Sequence, residues 1–272
     1  MQDTRFKPNP EYLKYAFDVK AGKDMYDNPV AGELIYYEWK LSPTLKELWI
    51  VPISDVHYGN PLFSKHHFFR TLKFIKEKPQ VYTVLNGDLC EAITRNSVGD
   101  IYRQVVTPHE QRDWIISSLK MIQKKILGVT MGNHEFRIYR DAGFDVCKDI
   151  ADSLNVPYRA EGMLLKITFG PSANSYFVYL THGYGGARTK GGKIAKLDRV
   201  ANWVKADVYF MSHDHVVNVS PDVYLEPSQR TYKEKDKTGE ETGFTIGNVK
   251  AQRKMLVKTN AYLKWGGYSE FY

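Results

Sequence analysis

Five short stretches of the chain place carboxylates, a carboxamide and imidazoles at spacings that suit a cation. They are Asp55-Val56-His57, Gly87-Asp88, Gly132-Asn133-His134-Glu135, Thr181-His182-Gly183 and Ser212-His213-Asp214-His215. Carboxylate with imidazole is a borderline ligand set, suited to manganese, iron, zinc or nickel. In an extended backbone residues i and i+2 point the same way, so Asp55 and His57 are expected to face one ion. His213 and His215 share that spacing, although a turn would send them to different ions. No cysteine belongs to the set, which excludes a thiolate structural zinc site. The charge balance favours an anionic substrate: Asp55 and Asp88 bring two negative charges, and two divalent ions leave the site positive even after a hydroxide is added. Two such ions about 3.5–4 Å apart generate a hydroxide nucleophile and clamp the attacking and leaving oxygens of a phosphoryl group.

Each motif stands at the end of an apolar run. Strands are predicted at Leu48–Ile53, Val81–Leu85, Leu127–Met131, Tyr176–Leu180 and Val208–Met211, each ending just before its motif, with Met163–Phe169 hairpinned to Tyr176–Leu180 through Gly170–Asn174. Pro52 argues against a strand centre in the first run. Helices are predicted from Ser64, with Phe68, Leu72 and Ile75 inward, and from the capping box Thr107-Pro108-His109-Glu110, with Ile115, Leu119, Ile122 and Ile126 inward. Two more fall at Phe144–Leu154 and Ile194–Val204, and further strands after 217 enclose a charged loop at Lys233–Glu241. Alternating strands and helices imply a layered α/β sandwich. In such sheets ligand sites collect beyond the carboxyl ends of the strands, so separate segments converge.

The 272 residues, 43% hydrophobic and 25% charged, suffice for a self-supporting core and exclude disorder as the main state. No run approaches ~18 apolar residues, so no membrane span or membrane partner is expected. Met1–Arg5 lacks the apolar core of a signal peptide, and Cys90 and Cys147 read as free thiols; a cytoplasmic protein is expected. Residues 1–44, rich in aromatics, read as an N-terminal extension packed on a single domain over 45–272, with a strand near Leu34–Trp39.

The ordered motifs resemble the calcineurin-like metallophosphoesterase superfamily, across residues 55–215. The segment Thr181–Gly183, Gly186-Ala187-Arg188-Thr189 and Gly191-Gly192-Lys193, and the later Trp265-Gly266-Gly267-Tyr268, are similar to phage- and prophage-borne members. The resemblance implies a four-layer αββα sandwich of two mixed sheets flanked by helices, with a dinuclear centre loaded with two divalent ions, manganese foremost and iron, zinc or nickel as alternatives. It implies that Asp55, His57 and His215 hold the first metal, that Asp88 bridges, and that Asn133, His182 and His213 hold the second. His134 faces the substrate and assists the leaving oxygen or stabilises the phosphoryl charge. Ser212 departs from the family's usual glycine, which bears on the local turn. The implied activity is hydrolysis of phosphate esters by metal-activated hydroxide. A phosphodiesterase acting on nucleic acid or nucleotides is favoured over a phosphomonoesterase, and over a non-catalytic binding protein.

The net charge of +7 points to an anionic partner. Residues 187–205 hold six cations against the single anion Asp198. Arg188, Lys190 and Lys193, among glycines that permit close approach, are candidate phosphate contacts. Lys196, Arg199 and Lys205 read as a solvated helix face. His66, His67 and His109 read as surface residues, Cys90 as a small buried one, and Tyr58 and Asn60 as lining the site. Glu135 reads equally as support for the site or as solvated. The aromatics Tyr262, Trp265, Tyr268, Phe271 and Tyr272 suit packing on a second subunit in a homo-oligomer.

Overall fold

Two kinds of apolar pattern build two kinds of sheet. Val81–Asn86 and Ile126–Thr130 are buried almost continuously, the signature of central parallel strands covered on both faces. Met163–Phe169 alternates, the signature of a strand with one face inward. The computed structural model describes residues 35–97, 101–235 and 237–264. Most of the expected N-terminal extension and the aromatics from Trp265 onward lie outside the described residues.

The elements run β1 (Tyr36–Lys40), β2 (Trp49–Ile53), α1 (Lys65–Glu77), β3 (Val81–Asn86), α2 (Pro108–Leu119), a 3-10 stretch at Lys120–Lys125 and β4 (Ile126–Thr130). There follow α3 (Asn133–Ala142), α4 (Val146–Leu154), β5 (Tyr158–Arg159), β6 (Met163–Phe169), β7 (Asn174–Thr181), α5 (Lys190–Ala201), β8 (Val208–Met211), β9 (Asn218–Lys235) and β10 (Glu241–Lys258). One sheet has the order β1-β6-β7-β8-β10-β9 and is mixed; the other, β2-β3-β4-β5, is parallel throughout. Pro52 is accommodated because β2 is an edge strand, where a missing N–H breaks no ladder.

Three cores stack the layers as helices, sheet, sheet, helix. Phe68 and Leu72 of α1, Ile115 of α2 and Ile150 of α4 pack on Ile53, Leu85 and Val129 of the parallel sheet. Val84 and Leu127 from its other face meet Leu165, Val178, Leu180 and Phe210 of the mixed sheet. Beyond that sheet Tyr209, Met211 and Leu256 pack on Leu197 of α5.

Some boundaries differ from expectation. Ile126 opens β4 instead of closing a helix, because α2 ends at Leu119 and the 3-10 stretch intervenes. Asp145 caps α4 through Lys148 N–H, so the helix starts after Phe144. Thr189 caps α5 through Gly192 N–H, so that helix begins four residues before Ile194 in spite of two glycines. Helix α3 starts at Asn133, inside the motif that follows β4, where no helix was expected. Among the described residues no helix is long and apolar enough to cross a membrane.

Candidate metal centre

Strands β2, β3, β4, β7 and β8 run parallel to their neighbours at the site and deliver Asp55, Asp88, Asn133, His182 and His213 just beyond their carboxyl ends. Asn86 ties the two sheets there. Its Nδ2 donates to Thr181 O at 2.8 Å and Ser212 Oγ at 2.7 Å, and its Oδ1 accepts from Thr130 Oγ1 at 2.7 Å. Ser212 is fully buried and also lies 2.9 Å from Thr259 Oγ1. The Ser212 hydroxyl thus works as a cross-sheet tie.

The backbone at these residues is not extended. Asp55, His57, Asp88, His213 and His215 all have φ between 50° and 69°, in the left-handed region. The expectation that Asp55 and His57 converge because a strand alternates is therefore corrected: successive sharp turns aim them. Asp and His tolerate this region better than most residues, yet each such residue persists only where its surroundings hold it. Here Asp55 N–H donates to Gly87 O at 3.1 Å, His57 N–H to Asp88 O at 3.0 Å and His213 N–H to Asp55 Oδ1 at 3.1 Å. Gly87 and Gly132 are sterically required: a Cβ at Gly132 would lie 2.1 Å from Asp88 N and Oδ1, and one at Gly87 2.6 Å from Gly132 Cα.

Two clusters result. In one, His215 Nε2 lies 3.1 Å from Asp55 Oδ1 and 3.2 Å from His57 Nε2. In the other, His182 Nε2 lies 3.1 Å from Asp88 Oδ2 and 3.0 Å from Asn133 Oδ1, which is 2.7 Å from His213 Nδ1. Asp88 Oδ2 is also 4.0 Å from His57 Nε2, so the carboxylate stands between the clusters. His213 and His215 diverge, one to each. His134 Nε2 is 3.8 Å from Asp88 Oδ2, and its Nδ1 is 2.7 Å from the Glu91 carbonyl.

The donor atoms fit a cation on two counts. Groups Asp55–His57–His215, His57–Asp88–His134 and Asp88–His182–His213 each bring three potential ligand atoms within 4.8 Å of one another. Asp55 Oδ2 is buried and accepts no hydrogen bond among the described residues. Leaving such an oxygen unsatisfied is costly, and a cation would satisfy it.

The charges respond as a buried, close-set cluster should. Burial opposes the Asp88 carboxylate, but His182, His134 and His57 outweigh it and hold the group well below the ordinary range. Burial opposes the His182 imidazolium too, and Asp88, Asp55 and the Asn86 carbonyl lift it to about 10. Burial drives His134 down to about 4 despite Asp88. For Asp55 the hydrogen bond and charge of His215 overcome burial and lower the carboxyl.

Supporting residues that sequence reasoning passed over are Asn86, Glu91, Arg137, Asp214 and Lys258. Glu91 places Oε2 3.2 Å from His57 Nδ1, and Arg137 Nη1 lies 3.3 Å from His134 Nδ1. The i, i+3 spacing of His134 and Arg137 would have paired them had the helix been seen. Glu135 is buried support: its carboxylate accepts from Asp88 N–H at 3.0 Å and Cys90 N–H at 2.8 Å. Burial, then the Asp88 charge, pushes it up to about 7.

Lys196 is not solvated. It is buried, donating to Asp214 Oδ1 at 2.9 Å and to the Tyr184 and Gly185 carbonyls at 2.8 and 2.6 Å, while Lys258 donates to Asp214 Oδ2. Its place on α5 faces the turn His213–His215, which carries the Asp214 carboxylate. Lys193 Nζ donates to Asp214 O at 3.2 Å, so it braces the same turn. Arg188 is exposed on the approach to α5 and Lys190 at its first position, Arg199 is exposed, and Lys205 pairs with Glu226. Tyr58 turns from the site and stacks on Trp114 at 3.8 Å, while Asn60 Oδ1 accepts from Leu62 N–H at 2.9 Å. His66, His67 and His109 are exposed, and Cys90 and Cys147 are buried free thiols.

No family model and no curated protein matches the sequence. Similar solved structures include a single mutant of Vps29 from Entamoeba histolytica, 14% identical with a TM-score of 0.37, covering 78% of this chain and 73% of that one. Vps29 from Cryptosporidium parvum is 13% identical with a TM-score of 0.37, covering 75% of this chain and 97% of that one. A conserved uncharacterized protein of Streptococcus pneumoniae, described as a predicted phosphoesterase, is 16% identical with a TM-score of 0.31, covering 78% and 71%. Likenesses this loose carry no argument about chemistry, which rests on the site itself.

Proposed function

We propose that the chain is a phosphoesterase that works with two divalent cations. The observation that supports this most directly is the single Asp88 carboxylate standing between two histidine clusters, 3.1 Å from His182 and 4.0 Å from His57. In this reading Asp55, His57 and His215 hold one ion, Asn133, His182 and His213 hold the other, and Asp88 serves both. When bound, such ions supply electrophilic charge for a phosphoryl group and lower the pKa of water; manganese suits the set, as do iron, zinc and nickel.

The chain's own residues set the rest. Glu91 orients His57, and Glu135 clamps the backbone that carries Asp88. His134 directs Nδ1 to the Glu91 carbonyl and Nε2 toward Asp88; in its imidazolium form, which burial disfavours, the Nε2 proton would meet a phosphoryl oxygen or pass to the leaving oxygen. Arg137 beside it, with Arg188 exposed on the loop after His182 and Lys190 exposed at the start of α5, supplies cations for an extended anionic substrate. These favour a phosphodiester of nucleic acid or a nucleotide. Two buried free thiols suit a reducing, cytoplasmic setting.

The test uses manganese-loaded protein, end-labelled single-stranded DNA at two salt concentrations, and an aryl phosphodiester beside its monoester. His134→Asn is expected to lower turnover by at least about 100-fold with metal content unchanged. DNA cleavage should fall with salt through counterion release. Turnover that survives in His134→Asn would overturn the mechanism, and a preference for the monoester would overturn the substrate class.

A further inference from the structure

We infer that Lys196 is a positioning residue for the loop that follows His182: it pins residues 184–188, which carry Arg188, to the turn that bears His213 and His215. The loop is intrinsically loose. It contains Gly183, Gly185 and Gly186, and it turns through positive φ at Gly183 (102°) and Gly185 (65°). Among the described residues no backbone-to-backbone hydrogen bond joins 184–188 to another segment. Two side chains hold it instead. Lys196 Nζ donates to the Tyr184 carbonyl at 2.8 Å and the Gly185 carbonyl at 2.6 Å, and His213 Nε2 donates to the Gly185 carbonyl at 3.2 Å. Arg188 follows Gly185 by three residues, a reach of at most about 11 Å along the chain.

The balance of charge singles out Lys196. Asp214 Oδ2 already accepts from Lys258, which is 1% exposed. One buried carboxylate and one buried ammonium balance, and a second buried ammonium leaves an excess that an ion pair alone does not favour. Lys196 brings that excess, donating to Asp214 Oδ1 at 2.9 Å while 8% exposed. The loop accounts for it. An ammonium has three N–H groups, and Lys196 directs one to Asp214 and two to the loop carbonyls. Among the described residues Lys258 hydrogen-bonds Asp214 alone. Lys258 thus balances the anion, and Lys196 joins the anion to the loop.

Asp214 lies between His213 and His215 in the chain, so one ammonium ties the segment after His182 to the segment that carries two further imidazoles. The consequence for substrate rests on the phosphoesterase reading: Arg188 is presented to an anionic group while the pin holds. The pin itself stands apart from that reading.

Limited trypsin digestion of the full chain, with the fragment that ends at Arg188 followed by mass spectrometry, reads the pin without an assay of activity. Lys196→Met is expected to raise the rate of cleavage after Arg188 at least about tenfold, the equivalent of one hydrogen bond to a charged group, and Lys258→Met to leave that rate unchanged. Equal rates in Lys196→Met and wild type, or equal acceleration in the two lysine variants, would overturn the inference. Lys196→Gln, whose amide ends one bond short of the carbonyls, gives the same reading if the methionine variant misfolds. With an aryl phosphodiester as substrate, Lys196→Met is expected to raise KM as Arg188→Ala does, with metal content unchanged, and to add nothing in the double variant, since it acts through Arg188. Additive effects would overturn the positioning role. If even wild type leaves the diester intact, the phosphoesterase reading fails, and the trypsin result still decides the pin.

Discussion

Replacing Asp214 by asparagine removes the anion that two buried lysines share. Lys258 is 1% exposed, and Lys196 and Asp214 are each 8% exposed. Three charged groups thus sit out of water with a net charge of +1. Removing one partner of a buried pair costs about 3–5 kcal/mol, because the group left behind stays desolvated. Asparagine keeps an acceptor oxygen, and Lys196 keeps the Tyr184 and Gly185 carbonyls, so the lower figure, ~3 kcal/mol, is expected. At 2–4 °C per kcal/mol for a domain near this size, Tm falls by roughly 6–12 °C. Lys258→Met should behave differently. It removes the surplus cation, leaves Lys196 and Asp214 balanced, and stays within about 1 kcal/mol of wild type. The assay is urea unfolding of EDTA-treated protein, so that bound ions add nothing. Burial opposes the Asp214 carboxylate, but the hydrogen bonds and charges of Lys196 and Lys258 outweigh it, and the carboxyl lies below its ordinary value of 3.8. A carboxyl lowered on folding stabilises above its unfolded pKa. The gap between wild type and Asp214→Asn therefore holds at neutral pH and closes as pH falls below 3.8 toward the folded value. Equal stability of Asp214→Asn and wild type, or equal losses in the two variants, would refute the shared-anion reasoning.

Manganese titrated into EDTA-treated protein should bind at two equivalents and raise Tm, with about 2.7 kcal/mol gained per site at a hundredfold excess over Kd; calorimetry that shows no binding would remove the metal centre. Gly132→Ala should cost more than about 2 kcal/mol, since its Cβ meets Asp88 N and Oδ1 at 2.1 Å; an unchanged melting curve would show that the backbone gives way. Glu135 is raised on folding from 4.5 to about 7, so its ionisation destabilises metal-free protein as pH rises through that interval. Glu135→Gln should flatten that pH dependence, and an unaltered slope would assign it to another group. Arg188→Ala should raise KM for an anionic substrate and leave metal content intact; an unchanged KM would remove the loop from the substrate path.

The layered architecture is legible because apolar periodicity is local. Phe68, Leu72 and Ile75 lie on one side of α1, and Leu165 and Ile167 on one side of β6, by spacing alone. The meeting of the five motifs is legible for a related reason, since each interrupts the chain just after a buried strand. What the sequence hides depends on tertiary neighbours. Asn86 precedes a motif as one more strand residue, and only the second sheet reveals its bonds to Thr181 and Ser212. Lys196 shares a helix with solvated cations, and its burial follows from Asp214, eighteen residues away.

The left-handed backbone explains why so many buried polar groups surround the Asp55, Asp88 and His213–His215 turns. Non-glycine residues in that region cost of order 1 kcal/mol or more each, and five of them approach the whole stability of a typical domain, about 5–15 kcal/mol. Such a cluster persists only if other contacts fix it. Glu135 grips the Asp88 turn through two backbone N–H groups, and Asp55 Oδ1 receives His213 N–H. Lys193, Lys196 and Lys258 hold the turn at Asp214. The Asp88 turn and the turn that carries His213 and His215 are therefore braced from behind, and that bracing lets His213 and His215, two residues apart, face separate clusters. An extended segment would have sent both to the same side. The separation of the two proposed ions is thus set by backbone conformation, and the buried lysines belong to the site although they meet neither ion.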